Sequence, residues 1–301
     1  MADNDSTKKT RSHLVPVRHA QHDFFIADVF DCALKDDMAS MEHPVFALKA
    51  GDTKDRVYSH NGISIAIRAN SIGLPTIFDK DIWIYCTSKL MEAINWNEKH
   101  PDDQIPLSRT VRFTAYDYLV TTNRDTSGRA YERLRESLER LNGTSITTDI
   151  QTAGRREAAG FGLIDGWRII ELDKKTERMV AIEVRLPDWL YNSVTSLAVL
   201  TLSPDYFRIR KPLDRRIYEL ACKHCGNQAS WEIGLEKLLK KSGSTTTPKA
   251  FRVAIKALAE SNELPDYRIK YDAVRDMVTA YNRSVKGNQA IIKSMMKGMS
   301  K

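Results

Sequence analysis

The amino-acid sequence predicts an α+β fold, and three observations support that prediction. A strand, a helix, a polar turn, a second helix and a strand hairpin follow one another between residues 109 and 186, and the same order returns between residues 212 and 271. In both regions the second helix combines an apolar stripe with a cationic face. In both regions the strands that follow alternate apolar and polar residues. This order is typical of a winged-helix domain, so the sequence predicts two winged-helix domains in tandem.

The domain limits follow from the same order of elements. We expect a flexible basic arm at residues 1–25, a first winged-helix domain at residues 26–186, a second at residues 187–280 and a basic tail at residues 281–301. Residues 187–202 have the pattern of a helix that connects the two domains.

The first domain begins with elements that precede the repeated order. Residues 57–70 predict a β-hairpin around Asn61-Gly62, because Ile63, Ile65 and Ile67 alternate with smaller or polar residues. Residues 78–94 carry apolar residues at helical spacing, with Asp79 as the expected N-cap. Residues 95–106 are polar, and we expect a loop there.

Turn and capping signals then divide each repeat. In the first, a strand at 109–113 precedes a helix capped by Thr114, and a helix at 129–141 ends at Asn142-Gly143. Strands are expected at 146–150, 161–171 and 179–186, with a basic hairpin tip at 153–159. In the second, helices are expected at 212–225, 233–241 and 248–260, with strands at 231–233 and 267–271.

The helix at residues 129–141 is the first candidate recognition helix. Its apolar stripe is formed by Tyr131, Leu134, Leu138 and Leu141. The other side carries Arg129, Arg133, Glu136 and Arg140, with Arg135 nearby. Arginine binds guanine or phosphate as a fork, which suits the major groove of a DNA duplex. The alternative is a solvated charged face, but the position between a turn and a basic-tipped hairpin favours DNA.

The helix at residues 248–260 repeats this design. Phe251, Ala254, Ile255 and Leu258 form its apolar stripe. Lys249, Arg252 and Lys256 share the exposed face. Thr247 lies at the helix start, where a hydroxyl and free N–H groups suit a phosphate. The same alternative, a solvated face, applies here.

Basic residues in the expected wings and in one further run are less decisive. Arg155 and Arg156 at the first hairpin tip, and Arg268 and Lys270 in the second domain, suit a minor groove or a phosphate backbone. Exposed strands also carry charges that block edge pairing, so both interpretations stay open. Backbone contact, interdomain ion pairing and solubility are all open for a dense run that comprises Arg208, Arg210, Lys211, Arg215 and Arg216.

Composition agrees with a globular protein that has a polyanionic partner. The 301 residues are 42% hydrophobic and 28% charged, and the net charge of +7 favours nucleic acid or an anionic membrane surface. The sequence contains no apolar run of about 20 residues and no signal peptide, so we expect a cytoplasmic protein without a membrane partner. The cysteines are too scattered for a disulfide framework, and we expect free thiols at Cys32, Cys86, Cys222 and Cys225.

Metal and enzyme chemistry are both unfavoured. Cys222, His224 and Cys225 resemble half of a zinc site, but a structural site needs a second ligand pair, so we expect His224 at the edge of the core. His19 and His22 have the wrong spacing for the metal site of a nicking enzyme. Tyr271 and Tyr281 lie in ordinary amphipathic settings. We therefore expect no catalytic residue, no metal and no cofactor.

Several long segments resemble the replication initiator protein A family of bacterial plasmids. The resemblance runs in order from about residue 31 to residue 271. It is carried by DCALKDDMASMEHPVFAL (31–48), TIFDKDIWIYCTSKL (76–90), SRTVRFTAYDYLVTTNR (108–124), GRAYERLRESLERLNGTSI (128–146), GFGLIDGWRII (160–170), EVRLPDWLYN (183–192) and LSPDYFRIRKPLDRRIYELACKHCG (202–226). The residues after about 271 depart from this pattern.

The resemblance implies a plasmid replication initiator that is not an enzyme. Such a protein binds repeated sites in origin duplex DNA, promotes opening of the origin and recruits the host replication initiator and helicase. It also implies a monomer that binds the repeats and a dimer that represses its own gene. Within GRAYERLRESLERL, the recognition role falls to Arg129, Arg133, Arg135 and Arg140.

Three other functions are weighed against this one. A winged-helix transcriptional repressor without a replication role needs only the same duplex recognition. A nicking initiator would require cleavage by Tyr281. A peripheral membrane role rests only on the short Met- and Lys-rich end at residues 291–301, which also fits a frayed helix.

Overall fold

The structure is a computed structural model that describes residues 33–60, 63–152, 155–171, 179–290 and 292. The expected basic arm, the turn Asn61-Gly62, residues 291 and 293–301 of the tail and the pair His19 and His22 lie outside these residues. The α+β class is confirmed. The helices are α1 Met38–Glu42, α2 Asp81–Lys99, α3 Ala115–Thr121, α4 Gly128–Gly143, α5 Asp188–Thr195, α6 Pro212–Cys225, α7 Leu235–Ser242 and α8 Pro248–Ser261.

The strands form four antiparallel groups. Their bounds are β1 Lys35–Asp37, β2 Arg56–His60, β3 Ile63–Arg68, β4 Thr110–Phe113, β5 Ser145–Thr152, β6 Arg155–Gly162, β7 Gly166–Glu171, β8 Met179–Arg185, β9 Val199–Thr201, β10 Ser230–Gly234, β11 Tyr267–Asp272 and β12 Met277–Asn282. The sheet orders are β1-β9, β2-β3-β5-β6, β4-β8-β7 and β10-β12-β11.

Two of these sheets have the same topology and complete two winged-helix units. In the first half, β4 pairs with β8, and β8 pairs with β7, around the helices α2, α3 and α4. In the second half, β10 pairs with β12, and β12 pairs with β11, around α6, α7 and α8. In each sheet the first strand pairs with the last strand of the hairpin. The predicted tandem winged-helix architecture is therefore confirmed.

The expected first wing was assigned to the wrong hairpin. The hairpin β5–β6, which contains Arg155 and Arg156, belongs to the four-stranded sheet with β2 and β3. The first winged-helix sheet contains the strand pair β7–β8, and residues 172–178 between these strands lie outside the described residues. Residues 155–159, expected as a turn, form the start of β6. Strand alternation alone could not distinguish the two hairpins, because both alternate and only hydrogen bonding assigns each to a sheet.

Three element limits differ from the expectation. Asp79 does not cap α2, which begins at Asp81 after Lys80, and α2 continues to Lys99 into the expected loop. The expected connecting helix ends at Thr195, because Leu197 adopts a left-handed backbone with φ 59°. The chain then forms β9, which pairs with β1. Strand β12 was missing from the sequence-based prediction and completes the second wing.

In each half, one threonine was predicted to cap a helix. The hydroxyl of Thr114 accepts a hydrogen bond from the backbone N–H of Asp117 at the start of α3. The hydroxyl of Thr247 accepts one from Ala250 at the start of α8. Both caps are confirmed, because a threonine in an extended conformation satisfies an N–H group that the first helical turn leaves free.

One apolar core extends through both halves. It includes Trp83 of α2, Leu138 of α4, Tyr206 before α6 and Ile255 of α8. The expected domain limit near residue 186 stays a prediction, since side chains on both sides of it are buried in this core.

A buried ionic network also connects the halves. The Lys80 side chain is fully buried, and its Nζ lies 2.6 Å from Asp36 Oδ2 and 3.1 Å from Glu219 Oε1. Beside it, Arg215 of α6 pairs with Asp81 of α2 at 2.5 Å. Separating α6 from the first half would leave these buried charges without their partners. The network therefore holds α6 and the first half in one arrangement.

The pKa values of this network differ from their ordinary ranges. Burial raises the pKa of Asp36, against the lowering effect of Lys80. Burial lowers the pKa of Lys80, but the charges of Asp36 and Glu219 outweigh it and raise the net value. Lys80 therefore carries its charge at neutral pH.

Candidate nucleic-acid interface

Helix α4 packs on the first half through one face. Leu134, Ser137, Leu138 and Leu141 are buried. At about 100° per residue, the direction opposite these residues is occupied by Glu132, Glu136 and Glu139, all exposed. We call these three the glutamate ridge. The arginines lie on the flanks of this ridge, so the sequence-based description of an arginine face opposite the core needs correction.

Three arginines of α4 are exposed. Arg129 and Arg133 lie on one flank of the glutamate ridge, and Arg135 lies on the other. None of them forms a side-chain hydrogen bond or ion pair with the described part of the chain. Arg129 and Arg133 also belong to the first half of the helix, which is the end that enters a groove in helix-turn-helix proteins.

Arg140 differs from the other arginines of α4. Its Nε and Nη2 each donate to a carboxylate oxygen of Asp79 at 2.9 Å, and the Asp79 side chain is only 4% exposed. The hydroxyl of Ser137 donates to the same carboxylate at 2.6 Å. Hydrogen bonding to Asp79 is the main reason that the pKa of Arg140 is raised. This forked pair anchors α4 to the residues before α2 and uses the donors that a base contact would need.

The last turn of α4 contacts the residue Asn70, which follows β3. The side-chain amide of Asn70, just after β3, donates to the carbonyl of Glu139 at 3.3 Å. A Cβ atom at Gly143 would overlap the Asn70 amide nitrogen. This contact joins the last turn of α4 to the sheet that contains β3, while Glu136 and Glu139 on the outer face stay exposed.

Helix α8 presents cations in the centre of its exposed face. Its buried residues are Phe251, Ile255 and Leu258. Directly opposite these, at about 100° per residue, lie Lys249, Val253 and Lys256. Val253 is 62% exposed, and Lys256 Nζ lies 5.7 Å from the centre of the Tyr271 ring. In contrast with α4, the acidic residue of this face, Glu260, lies at the C-terminal end of the helix.

Arg252 is bound within its own domain. Its guanidinium pairs with Asp276 of the second wing at 3.0 Å and donates to the hydroxyl of Tyr271 at 3.1 Å. The Tyr271 hydroxyl in turn donates to Asp276 at 2.5 Å. The arrangement fixes the wing against α8, so Lys249 and Lys256 are better placed than Arg252 to bind a ligand.

The second wing offers further cations. Arg268 and Lys270 alternate with buried Tyr267 and Ile269 along β11, which is an edge strand, and both cations are exposed. At the wing turn, Val274 is 96% exposed. The structure thus brings the cations of β11 and α8 to neighbouring elements that contact each other.

The dense basic run divides between the surface, where Arg210 and Lys211 are exposed, and the interior. Arg215 and Arg216 are buried, with side chains 1% and 4% exposed. Arg216 donates to the Met41 carbonyl at 3.0 Å, and Arg210 donates to the Asn123 carbonyl at 2.9 Å. Of the three open interpretations, interdomain pairing applies to Arg215 and Arg216. The sequence contained a signal for this pairing, because Arg215, Arg216 and Glu219 lie on one helix with apolar neighbours. Charged side chains on a buried helix face need partners.

The cysteines of α2 and α6 and the histidine of α6 pack against other side chains of the protein. Cys86, Cys222 and Cys225 are buried free thiols, and burial raises the pKa of Cys222 to about 12. The His224 ring stacks on Trp231 with ring centres 4.8 Å apart. Burial lowers the pKa of His224, so its 3.4 Å approach to Glu42 involves a neutral ring at neutral pH. Among the described residues, no group of three or more His, Cys, Asp or Glu side chains has the arrangement of a metal site.

Two units of strand, helix, turn, helix and hairpin around one core define a tandem winged-helix protein. The comparisons with known proteins are more specific. The chain matches the Replication initiator protein A family over residues 35–269 and belongs to that family. The resemblance found in the sequence is thus confirmed, and the family assigns the protein to the initiation of replication.

A relative and two solved structures agree with this assignment. A protein of Wigglesworthia glossinidia brevipalpis that is assigned to replication is 44% identical over 263 residues, which cover 87% of this chain and 94% of the relative. Two crystal structures of domains 2 and 3 of RctB superpose with TM-scores of 0.57 and 0.55. They cover 82% and 84% of this chain and 98% and 99% of theirs. At 11% and 10% identity, they support the fold alone.

Within the described ranges, every helix is too short or too polar to cross a membrane.

Proposed function

We propose that this protein initiates replication by binding origin duplex DNA through both winged-helix units. The observation that carries this proposal is the exposed face of α8, where Lys249 and Lys256 flank Val253 and no carboxylate lies between them. Lysine binds phosphate as a point charge, and an exposed aliphatic group suits the methyl group of thymine. Thr247 at the helix start and the edge-strand cations Arg268 and Lys270 extend the proposed surface.

In the first unit, the proposed contacts are Arg129, Arg133 and Arg135. Their guanidinium groups are exposed and have no partner among the described residues. The glutamate ridge between them repels phosphate, so we expect this helix to approach DNA through one flank. Arg140 is excluded from the proposed surface by its pair with Asp79. The role of Arg155 and Arg156 stays a prediction.

The proposal is tested by measuring the affinity of the protein for repeated origin DNA at several salt concentrations. Replacing both Lys249 and Lys256 by Ala removes two charges without touching the core, so we expect weaker origin binding and a slope of log K against log salt that is smaller by about two phosphates. Replacing Arg129 and Arg133 by Ala should relax sequence preference, and each base-specific hydrogen-bonding pair removed should cost about 1–3 kcal/mol of binding free energy. Lys49→Ala, an exposed lysine before β2, is the matched control. Unchanged origin binding in both double variants would overturn the proposal.

The later steps of initiation are supported by family membership. We propose that the bound protein promotes origin opening, recruits the host initiator and helicase, and represses its own gene, with a monomer and a dimer in exchange. A promoter-reporter assay with the α8 double variant tests repression, and sedimentation across a range of concentrations tests the dimer. A protein that represses but leaves origin DNA closed would be the repressor considered above.

We propose that initiation needs no covalent step by this protein. Tyr271, one of the two candidate nucleophiles, donates its hydroxyl proton to Asp276 and accepts from Arg252. The other, Tyr281, is 41% exposed in β12. Supercoiled origin plasmid incubated with the protein and Mg²⁺ should stay intact. Nicking that disappears in Tyr281→Phe would contradict this part of the proposal.

A further inference from the structure

A cleft lies between the first half and the helix-turn-helix of the second half. Its volume is about 570 Å³. One wall is formed by Pro44 and by Arg56, Val57 and Tyr58 of β2, and the other by the end of α7 and the α7–α8 turn at 243–245. This volume lies within the range of cavities that bind small organic molecules.

The two walls come close together at Gly243. This residue has a left-handed backbone with φ 68°, and a Cβ atom added there would lie 2.5 Å from the Cβ of Pro44 and 3.6 Å from Arg56 Nη1. A side chain at residue 243 would thus separate the walls. The close approach places the Arg56 guanidinium directly beside the α7–α8 turn.

Arg56 contains a buried donor without an acceptor. The side chain is 9% exposed, and Nη2 pairs with Asp52 at 2.6 Å. Nη1 is buried and has no hydrogen-bond partner among the described residues. A buried charged donor left unpaired costs about 1–3 kcal/mol or more, so such a group marks a place where an acceptor is expected.

The charges around the cleft favour an anion. Its lining includes the cations Arg56, Lys240 and Lys241, and one carboxylate, Glu42. That carboxylate is already held by Lys241 and by Lys223, whose Nζ lies 3.1 Å away. Among the described residues, Lys240 pairs only with Glu236, through side chains that are 75% and 78% exposed. Thr245 adds an exposed hydroxyl at the rim.

The lining also has an apolar part that an inorganic anion would not use. Pro44 and Leu239 contribute aliphatic surface, and Tyr58 contributes an aromatic ring. Tyr58 and Arg56 lie on the same face of β2, whereas the Val57 side chain points to the other face. An aromatic ring beside a cationic group is the combination that binds a base together with its phosphate.

We propose that this cleft binds a nucleotide, with its phosphate on the Arg56 guanidinium and its organic part on the wall of Pro44 and Tyr58. The nucleotide is either free or a residue of a DNA strand, because both sources present the same phosphate and base. The cleft contains none of the α4 or α8 residues that are proposed to bind DNA. The two proposals can therefore be tested separately.

The test uses the full chain with two probes, ADP and a short oligothymidylate, measured by isothermal titration calorimetry. Arg56→Met removes the donor, and we expect at least about tenfold weaker binding of the probe that uses the site. Thr245→Glu places a carboxylate at the rim of the cleft from an exposed position, and should weaken binding even if Arg56→Met folds poorly. Thr245→Gln, which has the size of glutamate without its charge, should bind as the original chain does.

Each outcome decides the proposal. Loss of ADP binding in Arg56→Met and Thr245→Glu assigns the cleft to a free nucleotide. Loss confined to the oligothymidylate assigns it to a DNA strand. If both probes fail to bind the original chain, or if both bind Thr245→Glu with unchanged affinity, the proposal is wrong. Origin binding of the Lys249 and Lys256 double variant is measured separately, and its result does not alter the assignment of the cleft.

Discussion

The two candidate recognition helices have the same place in the same fold, yet their exposed faces differ. On α8 the direction away from the core carries Lys249, Val253 and Lys256. On α4 the same direction carries the glutamate ridge, with arginines on its flanks. The difference shows that the number of cations on a helix does not indicate which charges lie on its exposed face. The buried face fixes the rotation of the helix, and the rotation decides which charges point outward.

The helices also differ in how each is anchored. Arg140 of α4 forms a largely buried fork with Asp79, whereas Arg252 of α8 pairs with Asp276 through side chains that are 41% and 44% exposed. The first pair joins the helix to its core. The second joins the helix to its wing, where solvent weakens the ion pair.

The largest expected effect concerns the network that holds the halves together. Lys80→Met leaves Asp36 and Glu219 buried without their shared cation, and we expect it to lower the free energy of unfolding by about 3–5 kcal/mol. Chemical denaturation followed by circular dichroism measures this loss, with the exposed Lys49→Met as control. If the variant unfolds in one transition at unchanged stability, the network does not join the halves.

A matched pair of arginine variants tests the difference in anchoring. Arg140→Ala should cost about 1.5–3 kcal/mol of stability, because it leaves the buried Asp79 carboxylate without its forked donor. Arg252→Ala removes an exposed pair and should cost clearly less. Thermal unfolding of both variants shows which substitution lowers stability more. Equal losses would mean that the two ion pairs stabilise the fold equally, which would contradict this prediction.

The acid sensitivity of one contact between the halves gives a third test. Burial raises the pKa of Glu42, but hydrogen bonds from Lys241 and Lys223 outweigh it and lower the pKa to about 2. A carboxyl group with a lowered pKa adds stability above its unfolded value near 4.5, and this stability disappears as the pH falls towards 2. Since the Glu42 side chain keeps some solvent contact, we expect about 1 kcal/mol.

The measurement compares the original chain with Glu42→Gln at several pH values. The difference in unfolding free energy should be largest near pH 6 and should shrink below about pH 4.5. Using the difference removes the opposing contribution of Asp36, whose raised pKa makes stability fall as the pH rises. A difference that grows towards acid pH would contradict the assigned sign.

The smallest expected effect concerns the glutamate ridge. Replacing Glu132, Glu136 and Glu139 by Gln removes three negative charges from the exposed face of α4. If α4 lies against a duplex, affinity for DNA at low salt should rise by roughly two- to tenfold, and the gain should vanish at high salt. Glu98→Gln on α2 is the control. Unchanged affinity would place the outer face of α4 away from DNA and leave α8 as the main contact.

The sequence by itself determined most of the repeated order of elements, two of the helix caps and the family. Thr114 and Thr247 were predictable, because a cap depends on residues three positions apart. The apolar stripes of α4 and α8 were predictable for the same reason, since helical spacing is local. The family followed from long segments of matching residues.

Tertiary structure decided which hairpin is the wing, which arginines are free and how the halves are joined. Arg140 meets Asp79 across 61 residues of chain, and Arg215 meets Asp81 across 134. No local pattern specifies such partners, because a charged side chain has the same sequence signature whether it faces solvent or a buried carboxylate. The candidate recognition helices were therefore visible in the sequence, whereas the arginines that are free to bind a ligand became clear only from the distant carboxylates that pair with the others.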